Sequence, residues 1–469
     1  MRTERADLVV VGGGAAGFAA AIGAHELGAQ VVLVHAGTIG GTCVNVGCVP
    51  SKTLIRAAEA HHRAARSRFR GIETSSRVRD FAAVIVHKEE LVASLRQAKY
   101  VDVLASYDRV RLVQGRAEFR APDTVLVDGQ AFSAPRVIVA TGAQPWLPPI
   151  PGLAAAEPLT STSAFELRRL PRSLLVLGGR YVALECAQML ARLGARVTLL
   201  QRSEHLLPPE DEDLTERLAH HLREEGIEVV TGVEIERVGR QGEQVVLQAR
   251  VRGEPRRFAA EGVLCATGRR PQTEGLGLER VGVRLGEEDG RLLVDEYLAS
   301  SVPGIYGAGD VIGEPAFVYT AAYEGALAAR NALEGNRERR DYTALPWVIF
   351  TDPQLAGVGL NEKQARAQGI DVEVARLELA EVPRAIVARD TRGFIKLIKR
   401  RGSDALLGAR VLAPEGGEQI MEAALAIRHR IGVSELAAAF HPYLTQGEGI
   451  KLCALSFTRE VRRLSCCAA

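Results

Sequence analysis

Gly40-Gly41-Thr42-Cys43-Val44-Asn45-Val46-Gly47-Cys48-Val49-Pro50-Ser51-Lys52 places two cysteines five positions apart, flanked by glycines and followed by a lysine. A nearby cation and a helix start both favour the thiolate, the reactive and metal-binding form of cysteine. Cys43 and Cys48 therefore read as a redox pair rather than as two structural thiols. Just upstream, the apolar run Ala6–Val11 predicts a strand, Gly14–Leu27 a helix and Val31–Val34 a second strand. At the first strand-to-helix turn stand Gly12, Gly14 and Gly17, a G-x-G-x-x-G pattern that lets a pyrophosphate approach the backbone at a helix N-terminus. The thiol pair thus follows directly on a βαβ nucleotide-binding unit.

A second such unit is predicted from strand Ser173–Leu177 through helix Tyr181–Leu193 to strand Arg196–Leu200, with Gly178-Gly179-Arg180-Tyr181-Val182-Ala183 at its turn. Arg180 replaces the middle glycine, and either touches the phosphates or points to solvent. An acid that binds ribose is expected at the end of the second strand of each unit. His35 stands there in the first unit and Gln201-Arg202 in the second. Without an acid for a 2′-hydroxyl and with a cation for a 2′-phosphate, the second site leans to NADPH over NADH. The plainer alternative makes Arg202 a solvated surface arginine.

Arg136–Gly142 (RVIVATG) and Gly262–Gly268 (GVLCATG) have one form, a strand ending in a small-residue turn, which suggests internal duplication. Ile305–Asp310 (IYGAGD) is a further strand with a glycine turn. Helices are expected over Lys52–Ala65 and Phe81–Tyr107, strands over Val110–Phe119 and Thr124–Val127, and a linker at Pro145–Pro151. From near Leu345, strands (Trp347–Phe350, Phe394–Lys399, Leu407–Leu412) mix with helices (Glu418–His429, Val433–Ala439). The predicted fold class is α/β, two Rossmann-like nucleotide-binding domains plus an α+β C-terminal domain.

With 59 basic against 57 acidic residues in 469, the net charge of +2 gives no case for nucleic acid as a partner. No apolar run reaches the length of a membrane span. Met1–Asp7 leads straight into a strand without a signal-peptide core, so a cytoplasmic location is expected. Seven cysteines are too few, and odd in number, for a secreted disulfide framework. Cys186, Cys265 and Cys453 read as small core residues, whereas the adjacent Cys466 and Cys467 suit capture of a soft metal ion.

In this order, the motifs resemble those of the pyridine nucleotide–disulfide oxidoreductases over essentially the whole length. Within that family the chain is most similar to the mercuric reductases. Val44-Asn45-Val46, VIFTDPQ at Val348–Gln354, VPRA at Val382–Ala385, DTRGFIKL at Asp390–Leu397, PYLT at Pro442–Thr445 and the terminal LSCCA carry that likeness. The resemblance implies FAD and NADPH as cofactors and thiol-bound Hg(II) as substrate, reduced to Hg(0). It implies an FAD-binding domain over 1–148 and 271–344, an NAD(P)-binding domain over 149–270 and a dimerisation domain over 345–469. A homodimer with active sites at the subunit interface follows.

Residue by residue, the resemblance makes Cys48 the thiol beside the flavin and Cys43 the outer, exchanging thiol. Lys52, paired to Glu185, lies near the flavin. Tyr181 covers the flavin and moves for the nicotinamide, and Asp310 holds the ribityl or phosphate region. Gly41, Thr42, Thr141, Gly142 and Gly268 join the cofactor sites, and Tyr443 lines the metal site of the neighbouring subunit. The sequence given carries no additional N-terminal C-x-x-C domain, so metal delivery is expected to use Cys466 and Cys467. His441-Pro442 occupies the place of the acid–base of disulfide-reducing relatives. It keeps open a dihydrolipoamide dehydrogenase-like disulfide reductase. A mercury-sequestering flavoprotein without turnover is the other alternative.

Overall fold

The computed structural model describes residues 3–463, so Cys466 and Cys467 lie outside the described residues. Segments rich in Val and Leu, their central strands buried on both faces, form two parallel sheets, the form expected where helices cover each side. The first runs in the order Ile305–Gly307, Val137–Val139, Leu8–Val11, Val31–His35, Val110–Gln114. The second runs Glu228–Val230, Arg196–Leu200, Ser173–Leu177, Gly262–Cys265. The duplication read from RVIVATG and GVLCATG is visible in the pairing. Val9 pairs with Val137 in one sheet and Leu174 with Gly262 in the other. It extends to the turns. Gly12 and Gly178 have φ of +128° and +121°, and a Cβ on either would overlap the carbonyl of Ala140 or Ala266 respectively.

Two segments depart from expectation. Val110–Phe119 is not one strand but Val110–Gln114 and Ala117–Ala121, which belong to different sheets and are parted by Gly115 at φ +153°. Phe81–Tyr107 is broken. Helix Phe81–Arg96 widens into a π turn over Gln97–Val101 before a last helical turn at Asp102–Leu104. Such turns bulge side chains out of helical register.

The C-terminal sheet is antiparallel, in the order Trp347–Ile349, Gln354–Gly359, Leu406–Ala413, Phe394–Arg400, Val372–Glu378. Helices Gly416–His429 and Glu448–Leu455 pack with it. Buried ion pairs fasten this sheet to the second nucleotide unit. Arg410, 1% exposed, holds Glu210 at 2.6 Å. Lys396 reaches Asp213 at 2.7 Å and Glu362 at 2.8 Å. Arg192 lies between Glu225 at 2.6 Å and Asp352 at 3.0 Å. Removing one partner from such a pair leaves a buried charge, at a cost of about 3–5 kcal/mol. No helix is long and apolar enough to cross a membrane among the described residues.

Helices Ala15–Glu26 and Val318–Glu334 cross at small residues. A Cβ on Gly325 would overlap the Ala16 carbonyl, whereas one on Gly23 would meet Ala326 at an ordinary 3.8 Å. Gly325→Ala is expected to destabilise the protein by about 1–3 kcal/mol through overpacking. Gly23→Ala is expected to be neutral or to stabilise it by up to about 1 kcal/mol, because glycine weakens a helix interior. Urea unfolding of the two variants checks the contrast.

Candidate active site

The cysteine segment is seated on the first nucleotide turn. The Gly40 N–H donates to the Gly13 carbonyl at 2.8 Å. Gly40 and Gly41 have φ of +97° and +60°, and a Cβ on Gly41 would stand 2.6 Å from the Gly14 Cα. Only glycines allow this approach. A short helix, Gly41–Asn45, breaks at Val46-Gly47, and the next helix begins at Cys48 itself, four residues before the predicted start. Asn45 stitches the break, donating to the Ile39 and Gly41 carbonyls at 2.9 Å and accepting from Arg96 at 3.0 Å.

Cys43 and Cys48 are both half-buried free thiols, hydrogen-bonded to one another. That hydrogen bond, followed by the Lys52 charge, lowers the Cys48 pKa from 9.0 to about 7 against the cost of burial. Cys43 moves the opposite way, raised by donating to Cys48 and by burial. The pair is polarised into a thiolate at the helix start and a thiol that supports it.

Lys52 Nζ meets Glu185 Oε2 at 2.7 Å and lies 4.6 Å from the centre of the Phe350 ring. The Phe350 N–H holds the other Glu185 oxygen at 3.1 Å. Four residues before Glu185 on the same helix is Tyr181, whose ring meets Phe317 and Trp347 edge-on at 5.7 and 5.9 Å. Burial raises its hydroxyl pKa to about 12, so it is a neutral phenol.

A continuous cleft of about 2320 Å³ joins Cys43, Cys48 and Lys52 to both glycine turns. It exceeds the roughly 300–1,000 Å³ of one small-ligand pocket and has room for two dinucleotides. Gly12, Gly14, Gly41, Thr42, Thr141, Gly142, Gly178, Gly268 and Asp310 all line it. Asp310 faces Arg269 at 3.6 Å, and Arg269 Nε is buried without a hydrogen-bond partner. A polar atom orphaned in this way is a place for a ligand oxygen. These features fit a bound flavin dinucleotide. At the second turn, Arg180 has the same extended ψ of −170° as Gly14, so the backbone accepts a side chain there. Its guanidinium, half exposed at the cleft, pairs with Glu314 at 3.2 Å. His35 turns Nδ1 to the Gly37 carbonyl at 2.7 Å. Gln201 is buried against Gly179, while Arg202 is exposed at the cleft.

His441 and Tyr443 do not line the cleft of their own chain. His441 Nε2 instead lies 2.9 Å from Glu422 Oε1. Sequence reading passed over three residues here. Glu422 is nineteen positions from His441, so no local pattern links them. Arg269 stood in plain view in ATGRRP without a role. Tyr100 sits in the π turn beside Gly40, and its pKa is raised by burial and then by the charges of Cys43 and Cys48. Cys186, Cys265 and Cys453 are 2%, 3% and 0% exposed, and burial lifts each thiol pKa to about 12.

Residues 6–325 match the family model for pyridine nucleotide-disulphide oxidoreductases, and residues 345–454 that for the dimerisation domain of the same family. The chain belongs to the pyridine nucleotide–disulphide oxidoreductase family. Membership brings a flavin and a pyridine nucleotide to the cleft and a dimerisation domain to the C-terminal segment. Among curated relatives, the mercuric reductase of Streptomyces lividans is 48% identical over 468 residues, covering 98% of each chain. That of Staphylococcus aureus is 43% identical over 98% of this chain and 84% of its own. Among solved structures, the Cu(II) complex of the HOCl-induced flavoprotein disulfide reductase RclA of Escherichia coli aligns with a TM-score of 0.87. It is 30% identical, covering 98% of this chain and all of that one.

The polarised thiol pair makes a measurable forecast. The rate of Cys48 alkylation by iodoacetamide in the reduced protein should rise with pH through a midpoint near 7, since only the thiolate reacts. Cys43→Ala removes the strongest stabilising contact and should move the midpoint up; Lys52→Met should move it up by less. A midpoint that stays put in both variants would remove this account of the Cys48 thiolate.

Proposed function

We propose that this enzyme uses NADPH to reduce thiol-bound Hg(II) to Hg(0) at Cys43 and Cys48. The observation that carries the reading is the polarised thiol pair, set beside the Lys52–Glu185 ion pair in a cleft that also holds two dinucleotide turns. The full-length likeness to mercuric reductases supports the choice of substrate. The reaction is NADPH + Hg(SR)2 + H+ → NADP+ + Hg(0) + 2 RSH. Bound FAD and NADPH would supply the hydride and electron-pair chemistry.

FAD would be held by Gly12, Gly14, Gly41, Thr42, Thr141, Gly142 and Asp310, with Arg269 beside them, while Gly17 lies outside the cleft lining and packs against the Gly12 carbonyl. NADPH would be held by Gly178, Arg180, Arg202 and Gly268. The residues of the chain do the rest. Cys43, the outer thiol, displaces the first carrier thiolate from Hg(II) and gives it its proton. The Cys48 thiolate displaces the second, which takes a proton from solvent. Mercury then sits between two sulfurs, the ligands a soft cation prefers over oxygen and nitrogen. Once Hg(II) takes up two electrons the atom no longer needs thiolate ligands, and it departs. Lys52 steadies negative charge at Cys48, with Glu185 orienting it. Tyr181 covers the pocket until a nicotinamide enters. In this reading Tyr443 serves the site of the other subunit, and Cys466 and Cys467 collect Hg(II) and pass it to the thiol pair there.

His441 paired with Glu422 favours a second reading, a dihydrolipoamide dehydrogenase-like disulfide reductase, because such a pair suits proton transfer during thiol–disulfide exchange. One assay separates the readings. NADPH oxidation is followed with Hg(II) in excess thiol, with lipoamide and with glutathione disulfide, while mercury vapour is collected. The mercury reading expects Hg(0) release that Cys43→Ala and Cys48→Ala each abolish. Cys466→Ala/Cys467→Ala should lose turnover of dithiol-chelated Hg(II) yet keep it with Hg(II) bromide. Faster turnover of lipoamide, lost in His441→Ala, would establish the second reading; mercury binding without vapour would establish sequestration.

The choice of NADPH rests on Arg202. A charge-assisted contact to a 2′-phosphate contributes about 1.5–3 kcal/mol, or roughly ten- to a hundredfold. Arg202→Glu should reduce the NADPH to NADH ratio of kcat/KM by that factor, and an unchanged ratio would take Arg202 out of the site.

A further inference from the structure

Tyr181 stands where three parts of the chain meet. It is the first residue of its helix in the second nucleotide unit. Phe317 comes from the segment that caps helix Val318–Glu334, and Trp347 opens the C-terminal sheet. The tyrosine is wedged between these two rings, at interplanar angles of 73° and 77°. Both rings are themselves fixed. Phe317 stacks on Tyr319 at 5.2 Å with the planes 6° apart, and the Tyr319 hydroxyl donates to the carbonyl of Pro346, next to Trp347. Trp347 lies against strand Gln354–Gly359 at Gly357, where a Cβ would come within 2.5 Å of its ring. The Arg410 side chain shares that space over Gly357, and its guanidinium lies 5.5 Å from the ring centre.

Arg410 extends the support back to the nucleotide unit. It makes two hydrogen bonds to Glu210, at 2.6 and 3.2 Å, and donates to the Val358 carbonyl at 3.0 Å. Glu210 ends the loop that starts at Gln201-Arg202. Its N–H donates to the Leu207 carbonyl at 2.8 Å, and the Leu207 N–H donates to the Gly179 carbonyl at 3.0 Å, two residues before Tyr181. Lys363 from the C-terminal domain holds the Glu210 carbonyl at 2.8 Å. The turn carrying Tyr181 and the ring that stops Tyr181 therefore share one support, in the C-terminal domain.

We propose that Trp347, held by the buried Arg410–Glu210 pair, is a positioning residue that keeps Tyr181 closed over the nicotinamide pocket. The C-terminal domain thereby sets how readily that pocket opens. The proposal rests on the reading of Tyr181 as the cover of the pocket. In a two-state cover, apparent affinity for the nucleotide is the intrinsic affinity multiplied by the open fraction. An edge-on aromatic contact is worth about two- to tenfold in an equilibrium constant. Removing it raises the open fraction, and so tightens nucleotide binding, by that factor.

The test is the Kd of NADP+ for the FAD-loaded protein, measured by titration calorimetry. Wild type, Trp347→Leu, Tyr181→Ala and the double variant are compared, with FAD content and Tm as folding controls. Trp347→Leu is expected to lower Kd about two- to tenfold. Tyr181→Ala should lower it at least as much, and the double variant no further than Tyr181→Ala. Trp347→Phe, which keeps a ring, should fall back towards the wild-type value, and Trp347→Met carries the test if Trp347→Leu loses its FAD. An unchanged or raised Kd in folded Trp347→Leu, or in Trp347→Met where it stands in, overturns the positioning role. So does a full extra drop when Trp347→Leu is added to Tyr181→Ala. If Tyr181→Ala leaves Kd unchanged, the cover reading fails and the proposal falls with it. If Tyr181→Ala lowers Kd and Trp347→Leu does not, only the role of Trp347 fails.

Discussion

The Lys52–Glu185 ion pair is the constraint around which the rest is arranged. An ammonium this close to apolar surface needs a counter-charge, and the counter-charge comes from 133 residues away. Meeting that need fixes the helix of the second nucleotide unit against the helix that starts at Cys48. Because Tyr181 is one turn before Glu185, the same alignment puts the tyrosine over the cleft. Phe350 closes the arrangement from the C-terminal sheet, through its N–H to Glu185 and its ring beneath Lys52. One ion pair thus registers three segments that have no neighbouring sequence.

The two nucleotide units began from the same plan and were adapted differently. In the first, Gly14 clears the ground for the cysteine segment, which packs so closely that a Cβ on Gly41 would stand 2.6 Å from the Gly14 Cα. In the second, the loop after Gln201-Arg202 docks there instead, its Leu207 N–H donating to the Gly179 carbonyl, and Arg180 and Ala183 are accommodated. The liberty is local. The positive-φ glycine that abuts the next strand is kept in both, because the overlap with Ala140 or Ala266 is a property of the sheet rather than of any ligand.

Much of this was legible in the sequence because it depends on local pattern. The strand Ser173–Leu177, the helix after it and the G-x-G-x-x-G turn are short-range features, and their limits agree closely with the structure. The Lys52–Glu185 pair was legible from the counter-charge a buried lysine needs and from resemblance, since no periodicity links two such distant positions. The π turn at Gln97–Val101 was not legible. Its residues have ordinary helical character, and only the packing of Tyr100 against Phe18 and Gly40 shows what the widened turn accomplishes. Glu422, which meets His441 across a helix and a loop, was hidden for the same reason. The hydrogen-bonded limit of Val110–Phe119 was misread because Gly115 and its neighbours continue the β pattern while the chain changes sheets.

If the proposed mercury chemistry holds, the buried cysteines are a hazard, because the ion seeks thiols. Cys186 adjoins Glu185 in sequence, and Cys265 ends a strand at the same cleft, so neither is remote from the chemistry. With pKa values raised to about 12 and almost no exposed surface, both stay protonated and out of reach at neutral pH. Cys48, lowered by its hydrogen bond to Cys43 and the Lys52 charge, is by contrast the thiol poised to ionise near neutral pH. Selectivity among the thiols is set by solvation, with no need for a guard group at each one.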